Sequence, residues 1–138
     1  MIDYTNTNFQ CHCSIHEDFK PYLDKMNEIA KRYSITVIVT SSYRVDANVK
    51  GAIVTPATHS NHMVGHAIDC NLKQGKELYN STRLYSPIGE IRQFIDECKK
   101  TGMRWGGDFG KADPVHFDSG LNITNFPKWE QIYKQLHQ

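Results

Sequence analysis

Apolar positions along the chain change period from segment to segment, and each change marks a predicted element. Phe19, Tyr22, Leu23, Met26, Ile29, Ala30 and Tyr33 recur three and four apart, the period of one helical face turned to a core. Ahead of them, Ser14-Ile15-His16-Glu17 has capping-box spacing, so the helix is expected to start there. Ile35 to Ser41 is β-branched and apolar without a helical period, which predicts a strand buried on both faces. Its far end delivers Ser42-Tyr43-Arg44. His66 to Leu72 predicts a second strand, entered through Gly65 and left by a polar excursion around Gly75. Ser86 and Pro87 predict the start of another helix, because Pro at the first helical position gives up an N–H that has no intrahelical partner. Ile88, Ile91, Phe94, Ile95 and Cys98 would line its buried face, with Lys99, Lys100 and Gly102 at its end. Short strands are expected around Met103-Arg104-Trp105 and Val115-His116-Phe117. A last helix is expected near Pro127, with Trp129, Ile132, Tyr133 and Leu136 inward.

Helices interspersed with short strands predict an α+β fold, a small and mainly antiparallel sheet packed with flanking helices. At 138 residues, 39% hydrophobic and 22% charged, the chain suits a single domain over 1–138 with a modest core. Val45 to Ser60, with Gly51, Pro56 and many small polar residues, reads as an irregular surface loop of a length that is usually functional.

Charge removes whole classes of partner. Lys+Arg 16 against Asp+Glu 15 gives a net charge of +1, which provides no electrostatic footprint for nucleic acid or anionic lipid. Apolar runs such as Ile35 to Val39 are too short to cross a bilayer, so membrane insertion is not expected. Met1-Ile2-Asp3-Tyr4-Thr5-Asn6 lacks the basic start and apolar stretch of a signal peptide. Cys11, Cys13, Cys70 and Cys98 permit two disulfides in any of three connectivities without demanding one. Cys11-His12-Cys13 with His16 offers a rival zinc site, but zinc-binding cysteines usually stand two to four residues apart.

The histidines carry the chemical signal. There are seven, of which His59, His62 and His66 cluster, while His116 sits between Asp113 and Asp118. Imidazole with carboxylate suits zinc, and a catalytic zinc keeps three protein ligands and an open position. Two triplets are available. One is built on His62 and His66, four apart as in a helical H-E-x-x-H motif, which needs a Glu where this chain has Met63. The other is His62, Asp69 and His116, with Gly65 letting the chain turn between the first two. Asp69 lies in an apolar strand and needs a partner there; a metal or a buried salt bridge would serve.

Ser60-Asn61-His62-Met63-Val64-Gly65-His66-Ala67-Ile68-Asp69, followed by Trp105-Gly106-Gly107-Asp108-Phe109 and Asp113-Pro114-Val115-His116-Phe117, resembles one known family. These are the peptidoglycan zinc peptidases that include D-alanyl-D-alanine carboxypeptidases and L-alanyl-D-glutamate endopeptidases of phage endolysins, with S-x-H-x-x-G-x-A-x-D and a later [DE]-x-x-H. Every fixed position of both motifs is present, and the resemblance spans roughly Ser41 to Asp118. It implies His62, Asp69 and His116 as ligands of one Zn2+ per chain and Asp113 as the catalytic carboxylate. It makes Arg44 a catalytic and substrate-binding arginine, and sets Ser60 near the substrate or in support of the ligands. His59, His66 and Asp118 adjoin the ligands in sequence and are candidates to orient them.

The residue types suit that chemistry. Zinc lowers the pKa of its bound water to about 7, Asp113 would take the proton and return it to the leaving amine, and Arg44 would hold a developing oxyanion or a substrate carboxylate. The resemblance implies peptidoglycan stem peptides as substrate, with the Val45 to His59 loop and the Gly75 to Leu84 excursion as pocket walls. It implies action on the cell wall, in periplasm or outside the cell, by an export route left open. An endogenous wall enzyme, a phage lysin and an effector with a delivery or immunity partner are all compatible. Two other readings stay beside it, a zinc-holding binding module like hedgehog-type signalling domains, and a zinc peptidase acting on a non-wall peptide or dipeptide.

Overall fold

The computed structural model describes residues 1–45 and 59–137. In chain order the strands and helices are β1 (Ile2–Asp3), β2 (Phe9–Gln10), β3 (Ser14–Ile15), α1 (Lys20–Tyr33), β4 (Ile35–Ser41), β5 (Ala67–Gln74), β6 (Glu77–Tyr79), α2 (Gly89–Lys100), β7 (Arg104–Trp105), β8 (His116–Asp118), α3 (Leu121–Thr124) and α4 (Phe126–Leu136). A six-stranded sheet runs β2-β4-β5-β8-β7, with β6 also paired to β5. Among the described residues only β2 beside β4 is parallel, so the sheet is mainly antiparallel as the sequence predicts. The α+β class holds.

Alternation divides the sheet into two faces. Val37, Val39, Cys70, Leu72, Trp105 and Phe117 meet Leu23, Met26, Ile29, Phe94 and Ile95 of α1 and α2 in the main core. Asp69, His116 and Asp118 belong to the other face by the same alternation. A smaller cluster of Met63, Val64, Leu121, Trp129 and Ile132 joins α3 and α4 to the turn ahead of β5.

Several expectations need correction. Ser14 does not cap a helix; it pairs in β3 with Asp3 of β1, and its N–H donates to Ser42 Oγ at 3.0 Å. The first helical turn opens instead at His16, whose Nδ1 accepts from the Asp18 N–H. Long-range pairing has taken the local cap. Ser86 and Pro87 likewise precede their helix, because the Ser86 N–H is spent on the Arg83 carbonyl closing an earlier turn, and α2 begins at Gly89 after an extended Ile88. The strand expected to be buried on both faces has one, since β4 alternates between buried and half-buried positions. Most of the predicted Val45 to Ser60 loop lies outside the described residues.

All four cysteines are free thiols, Cys11 exposed and Cys13, Cys70 and Cys98 buried. Burial pushes the Cys13 thiol up to about 12 and the other two buried thiols further. A brief treatment of native protein with an alkylating reagent is therefore expected to add one label, at Cys11, and four after denaturation. Two or more rapid labels on the native protein, read by mass spectrometry, would contradict this packing.

Candidate metal centre

Gly65 decides how the first motif folds. Ser60 caps a short turn over Asn61–Val64, its Oγ accepting from the His62 N–H at 3.2 Å, and Gly65 ends the turn at φ +71°. An L-residue is strained there, and a Cβ would lie 2.4 Å from the His16 backbone nitrogen. The chain then enters β5, which brings Asp69 round to face His62.

The third member comes from β8. Asp69 and His116 are direct cross-strand partners, and so are Ala67 and Asp118. A register shift in β4 between Val39 and Ser41 sets Ser41 opposite Asp69, the local effect of one extra residue in a strand. Gly106 packs against the loop leading into β8, where the Asp113 N–H donates to its carbonyl at 2.8 Å and a Cβ would lie 2.0 Å from the Asp113 oxygen.

His62 Nε2 lies 3.1 Å and His116 Nδ1 3.3 Å from Asp69 Oδ1. A tetrahedral ion bonded at about 2.0–2.1 Å needs donor atoms about 3.3 Å apart, so the spacing fits zinc. Tautomers fit as well. His62 Nδ1 donates to the Ser42 carbonyl at 2.7 Å and His116 Nε2 donates to Asp118 Oδ2 at 2.6 Å. In neutral imidazoles both remaining nitrogens then turn bare lone pairs toward Asp69. Two lone pairs and a carboxylate converging on one point call for a cation.

Electrostatics shows the same pull on positive charge, which a proton on His116 meets in the metal-free protein and an ion would replace. Burial alone would depress His116, but Asp118 and Asp69 outweigh it and raise its pKa to about 9. Burial would raise Asp118, yet His116 and Arg104 bring it down to about 2. Asp69 opposes its own burial in the same way through His116 and His62 and stays well below the ordinary carboxylate range. Asp113 goes the other way. Burial, then the nearby Asp69 charge, raises its pKa against the pull of His116, His62 and Arg44. A carboxylate with raised proton affinity beside such a cluster is equipped to accept a proton.

The Arg44 guanidinium reaches Asp69 Oδ2 at 3.6 Å. His59 and His66 stand away from this centre, His59 against Phe126 and Trp129, and His66 on Ser119. The His62 and His66 pair does not converge, since the turn ends between them. Trp105 fills the core, its Nε1 donating to the Pro114 carbonyl. No metal-binding cluster forms around Cys11 and Cys13 among the described residues.

Sequence reasoning missed what holds these converging side chains. Arg104 pairs with Asp118 across β7 and β8 and forks onto both its oxygens at 2.8 Å. Asn122 accepts from Arg104 and Asn61, and its own N–H donates back to Asn61 Oδ1. Tyr85 returns from the Gly75 excursion to donate to the Ala112 carbonyl beside Asp113, whereas the first part of that excursion, β6, pairs at the end of β5 away from Asp69. An arginine and an aspartate at opposite ends of the Gly106 loop were the only sequence signal for the Arg104 fork.

No helix is long and apolar enough to cross a membrane among the described residues. No curated protein matches the sequence. Among solved structures, the fold is similar to that of the L-Ala D-Glu endopeptidase ChiX of Serratia marcescens, at 17% identity over 78% of this chain and 82% of that one, with a TM-score of 0.47. The family model described as D-alanyl-D-alanine carboxypeptidase matches residues 54–119, the segment that contains His62, Asp69, Asp113 and His116. Through that segment, the chain is similar to the D-alanyl-D-alanine carboxypeptidase family.

Proposed function

We propose that this chain is a zinc-dependent peptidase that hydrolyses a peptide bond in the stem peptide of peptidoglycan, as an L-alanyl-D-glutamate endopeptidase or a D,D-carboxypeptidase acting on the cell wall. One observation carries the reading, the convergence of His62 Nε2, His116 Nδ1 and the Asp69 carboxylate with Asp113 beside them. The family match supports the substrate class. His62, Asp69 and His116 would hold one zinc ion, and Ser42 and Asp118 fix the two rings in ligating orientation.

Zinc, when bound, polarises the scissile carbonyl and lowers the pKa of water to about 7. Asp113 takes the proton as the water oxygen bonds to the carbonyl carbon, and returns it to the amine nitrogen as the C–N bond breaks. Arg44, donor-only and always charged, steadies the oxyanion or binds a substrate carboxylate. Its pairing with Asp69 keeps it at the site's edge. Ser60 aims His62 through the turn it caps.

The test is mass spectrometry of purified muropeptides incubated with zinc-loaded protein, with a chelator-treated control. A chelator-sensitive product is expected. Loss of terminal D-Ala would identify a carboxypeptidase, and separation of L-Ala from D-Glu an endopeptidase. Intact muropeptides beside stoichiometric zinc would sink the wall reading and favour a binding module or another peptide substrate.

A further inference from the structure

We propose that His16, Asp18 and His66 form a second binding site for a divalent first-row metal ion, separate from the His62, Asp69 and His116 centre. Their ligand atoms lie within 4.8 Å of one another. His16 caps the turn over Glu17–Phe19 ahead of α1 and Asp18 lies within it, and His66 follows Gly65, whose carbonyl accepts from the His16 N–H at 3.0 Å. The two imidazole rings stand 5.5 Å apart, centroid to centroid.

His66 supplies the second, independent observation. It is 3% exposed, and its Nε2 is the one buried side-chain nitrogen or oxygen without a hydrogen-bond partner among the described residues. Buried polar atoms are almost always paired, and an orphan calls for an explanation. Its other nitrogen, Nδ1, bonds Ser119 Oγ at 2.9 Å. With Nδ1 donating there, Nε2 keeps a bare lone pair, and His66 offers a ligand atom to the cluster with His16 and Asp18. Burial, aided by the His16 and Lys128 charges, depresses the His66 pKa to about 4, so the ring is neutral and able to ligate.

The remaining groups are accessible. The His16 and Asp18 side chains are 22% and 36% exposed, so an ion can enter from solvent. Asp18 Oδ2 is held by Lys128 Nζ at 3.0 Å and His16 Nδ1 by the Asp18 N–H, and an arriving cation would displace that ammonium and take a His16 lone pair at the expense of that hydrogen bond. Two imidazoles and one carboxylate suit zinc, nickel or copper over magnesium or calcium. An ion there would tie the segment before α1 to the Gly65–His66 turn, the turn that also sets His62.

Protein stripped with a chelator, titrated with zinc chloride and desalted, is expected to retain two equivalents by native mass spectrometry. His16→Gln, which keeps an acceptor for the Asp18 N–H, should retain one, and so should Asp18→Asn. His62→Ala should retain one by losing the other ion, and His16→Gln with His62→Ala none. A wild-type protein that retains one equivalent, unchanged in His16→Gln and Asp18→Asn, overturns the second site and leaves the first intact. One equivalent lost in His16→Gln and kept in His62→Ala would support the second site and overturn the first.

Discussion

Asp113→Ala is expected to lower peptide hydrolysis by about 10²–10⁴-fold, the usual worth of a positioned general base, while zinc stays bound. Asp113 is not among the three converging residues, so its removal leaves that set whole. Its half-buried position and the Asp69 charge raise its proton affinity, and the Gly106 carbonyl and the tight fit of Gly106 fix the backbone that carries it. Steady-state rates on a muropeptide, read beside zinc content, separate the two effects. Full activity in Asp113→Ala would remove the proposed mechanism, and loss of zinc would make Asp113 a ligand.

His116→Ala is expected to lose both the ion and the activity, and to destabilise the fold as well. The ring stands between two carboxylates, at 3.3 Å from Asp69 and 2.6 Å from Asp118. Without it Asp118 keeps Arg104 and the Gly120 N–H, but Asp69 keeps only His62 and the more distant Arg44. Removing one member of a buried charged pair costs about 3–5 kcal/mol, which thermal unfolding of the metal-free variant would read as a lowered Tm. A variant that still binds stoichiometric zinc would show that His116 is no ligand. His116→Gln, which keeps a donor for Asp118, should recover part of the stability and none of the activity.

The convergence of His62, Asp69 and His116 was legible because its signal is local at one end and paired at the other. His62, Gly65 and Asp69 stand close enough in sequence for a turn to be read between them, and His116 follows a carboxylate at a recognisable interval. The supports were not. Arg104 reaches Asp118 only through the register of β7 against β8, and Asn61 reaches Asn122 across 61 residues. Nothing in the neighbourhood of either residue encodes such a meeting. The long elements α1, β4, β5, α2 and α4 carry enough period to be seen. Strands of two residues such as β1, β2 and β3 carry none, and β3 is what took Ser14 away from its predicted cap.

The helix at the chain's end holds both flanks of one segment. His137 Nε2 bonds the Val45 carbonyl, Trp129 Nε1 donates to the Ser60 carbonyl, and Asn122, just before that helix, donates to the His59 carbonyl. Val45 on one side and His59 and Ser60 on the other are thus anchored by groups distant in sequence, with Arg44 and His62 just beyond. The placement of Arg44 and His62 is thereby tied to the last helix, and a change that loosens that helix would reach the candidate metal centre without touching any of its side chains.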